Sequence, residues 1–221
     1  MKTILIALLI IFVVYVCTCI SIRSYNPVFL SNNKKQKLYE GMQKTDQILK
    51  NNEIPYFAIC GTLLGVIRDK EIIPWDDDID IGILKEDMDK FNSINFSNYN
   101  LSSHPASLEN IGKIYIDKDT YIDIFVFEKK NDIYQYTGES ARKAWPNEYF
   151  KIEELFPLQT YKFGPITISG PNQFEPYANR AWGNWKKPIF KTVKILLYPF
   201  DFGRIYLTKK YNPISDFNFS K

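Results

Sequence analysis

The chain has 221 residues, of which 45% are hydrophobic, 16% aromatic and 24% charged, with a net charge of +3. That mix excludes a disordered, collagen-like or disulfide-scaffold protein, and the three cysteines lack zinc-site spacing. One histidine rules out a chemistry built on several, no basic stripe of the nucleic-acid-binding kind stands out, and the length predicts one domain with room for an appendage.

From Ile4 to Ile22 the chain carries no charge and is almost wholly Ile, Leu, Val and Phe. As a helix it rises about 28 Å at roughly 1.5 Å per residue, close to the hydrocarbon thickness of a bilayer. It has no polar face, so residues 1–22 read as a transmembrane signal-anchor. The competing reading is a cleavable signal peptide ending near Cys17-Thr18-Cys19. Lys2 on one side competes with Arg23, Lys34, Lys35 and Lys37 on the other, so the charge rule does not decide the orientation. Three glycosylation sequons, at Asn95, Asn100 and Asn218, leave the compartment open between the cytoplasmic side and a lumenal or extracytoplasmic one.

Residues 23–33 form a polar linker, and 34–190 a mixed α+β domain. Leu38, Met42, Thr45 and Leu49 stand at helical spacing and predict an amphipathic helix over 34–52. Tyr56 to Cys60 reads as a buried strand, 63–68 as a short helix opening at Gly61-Thr62, and 79–84 as a second strand. A charged helix over 85–94 follows, then a hairpin of 111–117 with 120–128. Residues 149–156 read as helical, 161–169 as extended and 172–182 as helical. The extension over 191–221 is basic and aromatic without clear periodicity, and its lysines are either solvated or laid against a membrane surface.

The densest feature runs from Gly61-Thr62-Leu63-Leu64-Gly65 through Arg68 to Ile73-Pro74-Trp75-Asp76-Asp77-Asp78-Ile79-Asp80-Ile81-Gly82. On a strand, Asp78, Asp80 and Gly82 share one face and the isoleucines the other. Two carboxylates about 4 Å apart repel by roughly 4 kcal/mol at an effective dielectric near 20, which an apolar strand carries only with a cation between them. Asp123 interrupts another buried-looking strand, Tyr121 to Phe127. If the two strands are neighbours, Asp123 completes a three-carboxylate oxygen site suited to Mg²⁺ or Mn²⁺. Gly61 lets backbone amides approach an anion and Thr62 caps the next helix, while Arg68 and Lys113 offer positive charge for phosphates. A calcium loop fails on detail, because Ile81 and Asp87 occupy its glycine and glutamate positions. The bland readings are a solvated acidic turn, a salt-bridged core acid at Asp123, structural or solvated Arg68 and Lys113, a core thiol at Cys60 and a solvated His104.

Together these residues resemble the LicD family, which includes fukutin and the fukutin-related protein. The match lies in the Gly61–Gly65 and Ile73–Asp80 run, in Ile122-Asp123-Ile124-Phe125, in Leu155-Phe156-Pro157-Leu158 and in Tyr177 to Trp185. One departure is Ala181-Trp182-Gly183, where the family pattern leads one to expect Tyr-Gly. The resemblance implies a nucleotidyltransferase-like mixed β-sheet flanked by helices. It also implies transfer of a substituted phosphate, such as phosphocholine or a pentitol phosphate, from a CDP-linked donor to a glycan hydroxyl. Asp78 and Asp80 then bind the metal with Asp76 in support, Asp123 completes the site and takes the acceptor proton, and Gly61, Thr62, Arg68 and Lys113 hold donor phosphates. The alternatives are a nucleotidyltransferase that releases pyrophosphate and a membrane-tethered binding protein that has lost turnover.

Overall fold

Ser31 starts the first helix of the domain by accepting a hydrogen bond from the Lys34 N–H at 3.2 Å, and α1 runs over Asn32–Asn51. A computed structural model describes residue 6 and residues 8–17, 30–74 and 76–186. The predicted stripe of Leu38, Met42, Thr45 and Leu49 is buried, with Tyr39 and Ile48 beside it. After α1 come β1 (Tyr56–Ala58) and α2 (Cys60–Leu64), which runs on into a π-helical turn over Gly65–Asp69. Then follow β2 (Ile79–Leu84), a 3₁₀ turn over Lys85–Asp87 and α3 (Met88–Asn92). The middle of the chain supplies β3 (Ser102–His104), β4 (Gly112–Asp117), β5 (Thr120–Lys130), β6 (Ile133–Tyr136) and α4 (Glu139–Ala144). The last elements are β7 (Phe150–Lys151), α5 (Ile152–Leu155), β8 (Gln159–Phe163), β9 (Ile166–Gly170) and α6 (Phe174–Trp182).

The fold is mixed α+β, as expected, with a central mixed sheet flanked by helices. Its order is β1-β2-β5-β4-β3; β6 pairs with the far half of β5, and β7 with β6. β2 and β5 run parallel, and the other described strand pairs are antiparallel. Their register sets Ile79, Ile81 and Ile83 against Ile122, Ile124 and Val126 on one face. Those side chains are buried, each worth about 1.5–3 kcal/mol of hydrophobic transfer. The same register sets Asp80 beside Asp123 on the opposite face. There Gly82 makes room for an aromatic cluster: a Cβ on Gly82 would lie 2.6 Å from the Phe57 ring, which packs edge-on against Phe127 and Phe150.

Several expected elements are displaced. The helix expected over 63–68 begins at Cys60 and widens into the π-helical turn, with Ile59 rather than Thr62 as its N-cap. The stretch 149–156 opens as β7 before it turns helical, because Phe150 pairs with Tyr134. Residues 161–169 are two strands turning at Gly164-Pro165. Among the described residues no helix is long and apolar enough to cross a membrane. Of the expected anchor over 1–22, only Ile6 and residues 8–17 are described; they are helical with exposed apolar side chains, and the remainder lies outside the described residues. Residues 23–29 of the expected linker, Trp75 and the extension over 191–221 also lie outside them.

Candidate active site

Asp80 stands on β2 and Asp123 on the neighbouring β5, directly paired in register, while Asp78 sits just ahead of β2. One carboxylate oxygen of each lies within 4.8 Å of the other two. All are oxygen donors, the chemistry that Mg²⁺ and Mn²⁺ prefer, so the three residues fit such an ion. Burial, then the Asp123 and Asp77 charges, push the Asp78 carboxyl up to about 7. Burial and the charges of Asp78, Asp76, Asp123 and Glu148 drive Asp80 well above the usual carboxylate range. Burial raises Asp123 as well, and Lys113 opposes it. A site that holds its acids away from their ionised form is one that a cation stabilises.

Asp76 sits behind this triad. Burial raises its carboxyl, Asp78 and Asp77 add to the rise, and Arg68 opposes it. A Cβ on Gly61 would lie 2.3 Å from Asp76 Oδ2, so the glycine is there to admit a carboxylate. Thr62 is buried and accepts a hydrogen bond from the Asp80 N–H at 2.8 Å. Its hydroxyl therefore fixes the strand that carries the acids instead of capping a helix. Arg68 donates through Nε at 2.8 Å and Nη2 at 2.5 Å to Asp69. Lys113, opposite Asp123 across β4–β5, forms an ion pair with it and lies 3.9 Å from the Tyr121 ring centre.

Sequence reasoning missed the layer beneath. Glu148 is 2% exposed and accepts from Tyr136 Oη at 2.5 Å, Trp182 Nε1 at 3.3 Å and the Cys60 thiol at 3.6 Å. Cys60 is thus a hydrogen-bonded member of a polar network, not simply a small core hydrophobe. Burial, then the Glu148 and Asp80 charges, push its thiol up, so it stays protonated. Its backbone has φ +48°, a left-handed conformation that costs a non-glycine residue on the order of 1 kcal/mol. The bonds to Tyr136 and Glu148 hold that residue in place, and the turn it makes delivers Gly61 to Asp76 and Thr62 to Asp80. The only local sign was a charged Glu148 amid Trp145, Tyr149 and Phe150.

The LicD/FKTN/FKRP nucleotidyltransferase domain matches residues 53–173, which hold the acids, the Gly61 turn and Glu148. The chain belongs to the LicD family. An uncharacterised protein of Rickettsia prowazekii (strain Madrid E) is 37% identical over 158 residues, 72% of this chain and 58% of that protein. An uncharacterised protein of Rickettsia typhi (strain ATCC VR-144 / Wilmington) is 36% identical over 182 residues, 81% of this chain and 54% of the relative. The ribitol-5-phosphate transferase FKTN of Mus musculus is 27% identical over 163 residues, 70% of this chain and 34% of the murine protein. The LicD chain described here therefore spans little more than half of either rickettsial relative and about a third of the murine one.

Proposed function

We propose that this LicD chain moves a substituted phosphate, of the phosphocholine or pentitol-phosphate kind, from a CDP-linked donor to a glycan hydroxyl. The observation that carries the proposal is the convergence of Asp78, Asp80 and Asp123 within 4.8 Å in a family whose murine member is named a ribitol-5-phosphate transferase. Asp78 and Asp80, with Asp123, hold Mg²⁺ or Mn²⁺, and Asp76 supports them. Bound there, the cation neutralises charge on the transferred phosphate and on the departing nucleotide. The acceptor oxygen forms a bond to phosphorus, the phosphorus–oxygen bond to CMP breaks, and Asp123 takes the acceptor's proton. Arg68 and Lys113 are the cations for donor phosphates, with Gly61 and Thr62 shaping the turn beside them. Positioning and charge complementarity suffice for such a transfer, so no histidine or thiolate is needed.

In this reading residues 1–22 anchor the chain in a membrane. The exposed apolar side chains of the helical residues 8–17 support that placement. The test is to incubate the full chain and Mg²⁺ with CDP-ribitol, CDP-glycerol and CDP-choline, and to analyse the products. CMP release that is lost in a folded Asp80→Asn variant is the expected result, and unchanged turnover in that variant would sink the proposal. The nucleotidyltransferase character of the matched domain favours one second reading, transfer of the nucleotide itself from a nucleoside triphosphate, for which pyrophosphate is the product.

A further inference from the structure

The sheet face that bears the acids continues past Asp123. In register, Asp123 is followed by Lys113 on β4 and His104 on β3, while Tyr121 on β5 faces Tyr115 on β4 and Tyr115 faces Ser102 on β3. The rings form a chain: His104 and Tyr115 meet edge-to-face at 5.8 Å, and Tyr115 and Tyr121 at 6.0 Å. Tyr115 and Tyr121 are half-buried, and Ser102, Ser103 and His104 are exposed at the sheet's edge. An open cavity of about 570 Å³, lined by Asn100, Ser102, Tyr115, Asp117 and Lys118 among others, adjoins the outer end of this row. That volume falls within the roughly 300–1,000 Å³ of ligand pockets.

We propose that His104, Tyr115 and Tyr121 form the shelf on which the acceptor carbohydrate lies. The inference rests on the phosphotransferase reading of the acid site. Strands are spaced by about 4.8 Å and residues along a strand by about 3.4 Å, which puts Tyr121 about 7 Å and His104 about 10 Å from Asp123. A sugar whose hydroxyl attacks a phosphate at the triad spans that distance. In-line transfer places the attacking and leaving oxygens on opposite sides of phosphorus. Arg68 and the Gly61 turn stand on the β1–β2 side of the acids and Lys113 borders Asp123 on β4, which leaves the row beyond Lys113, Tyr121–Tyr115 and His104, to the acceptor.

The ring geometry favours a sugar over a nucleobase. Edge-to-face tyrosines present no parallel slot for a planar base. Tyr115 does offer a negative π-face to the C–H side of a pyranose. The His104 imidazole and the hydroxyl of Tyr121, whose own ring lies against the Lys113 ammonium, flank it for the sugar's own hydroxyls. Among the described residues β3 is the last strand of this sheet's order, so an acceptor longer than one unit can continue past it.

The test uses the full chain in a zwitterionic detergent, so that no sugar headgroup competes, with tyrosine rings and histidine isotope-labelled for NMR. Galactose, glucose and N-acetylgalactosamine, free and as trisaccharides, are titrated separately from CMP with Mg²⁺. The expected result is that a saccharide shifts the Tyr115, Tyr121 and His104 signals, and that Tyr115→Leu and His104→Ala each weaken its binding about tenfold or more. Mg²⁺–CMP affinity in both variants stays within twofold of the parent. Saccharides that leave all three signals unmoved overturn the inference, as does CMP that shifts the Tyr115 and His104 signals or loses affinity in step with the saccharide. Saccharide binding that persists in a chain unable to bind Mg²⁺–CMP upholds the shelf while removing the proposed function.

Discussion

Withholding the cation tests the acid cluster directly through stability. Folded, Asp78 keeps its proton up to about pH 7, whereas its ordinary value is 3.8. Between those values folding takes up a proton, so the metal-free protein loses stability as pH rises, and the loss is complete above the folded-state pKa. At about 1.4 kcal/mol per unit, the step from pH 6 to pH 8 costs about 1.4 kcal/mol through Asp78 alone. Asp80, Asp76 and Asp123, raised in the same direction, add to it. For a domain of this size that lowers Tm by about 3–6 °C. Mg²⁺ binds the ionised acids, so its stabilisation, about 2.7 kcal/mol at a hundredfold excess over Kd, is larger at pH 8 than at pH 6 and flattens the profile. Thermal melts at both pH values, in EDTA and in MgCl₂, with Asp78→Asn as control, measure this. A metal-free Tm that rises from pH 6 to pH 8, or a Mg²⁺ effect no larger at pH 8, refutes the reasoning.

The supporting residues carry further expectations. Gly61→Ala puts a methyl against Asp76 Oδ2, and an overpacking cost of about 1–3 kcal/mol together with weaker Mg²⁺ binding by calorimetry is expected. Thr62→Val keeps the shape but strands the Asp80 N–H. It costs about 1–3 kcal/mol in urea unfolding and weakens metal binding, whereas Thr62→Ser preserves both. Glu148→Ala leaves Tyr136, Trp182 and Cys60 without their shared acceptor. A loss of about 2–4 kcal/mol is expected by chemical denaturation, together with weaker metal affinity because the Cys60 turn is no longer held; unchanged metal affinity would confine Glu148 to a structural role.

The acids were legible because their signal is local. An aspartate alternating with isoleucines on two strands declares which face it occupies, and only the pairing of Ile79–Leu84 with Ile122–Phe127 had to be supplied by the fold. The Glu148 layer was not, since its partners Tyr136, Cys60 and Trp182 come from distant parts of the chain and no spacing links them. β3 escaped notice because its three residues are exposed and carry no apolar alternation. β6 hides behind the two-residue turn Asn131-Asp132, where Asn131 takes φ +55°, a conformation asparagine tolerates better than most residues. The start of α2 was misplaced for a similar reason, because the left-handed turn at Cys60 depends on hydrogen bonds made far along the chain.

The parallel pairing of β2 with β5 ties the chemistry to the core more tightly than a loop-borne site would. Sliding either strand by one residue would carry Asp80 or Asp123 through the sheet and bring isoleucines out in its place. A descendant of this chain can therefore abandon the site by exchanging one aspartate and keep its fold intact. It cannot relocate the site by small steps, because each step along the strand turns the molecule inside out.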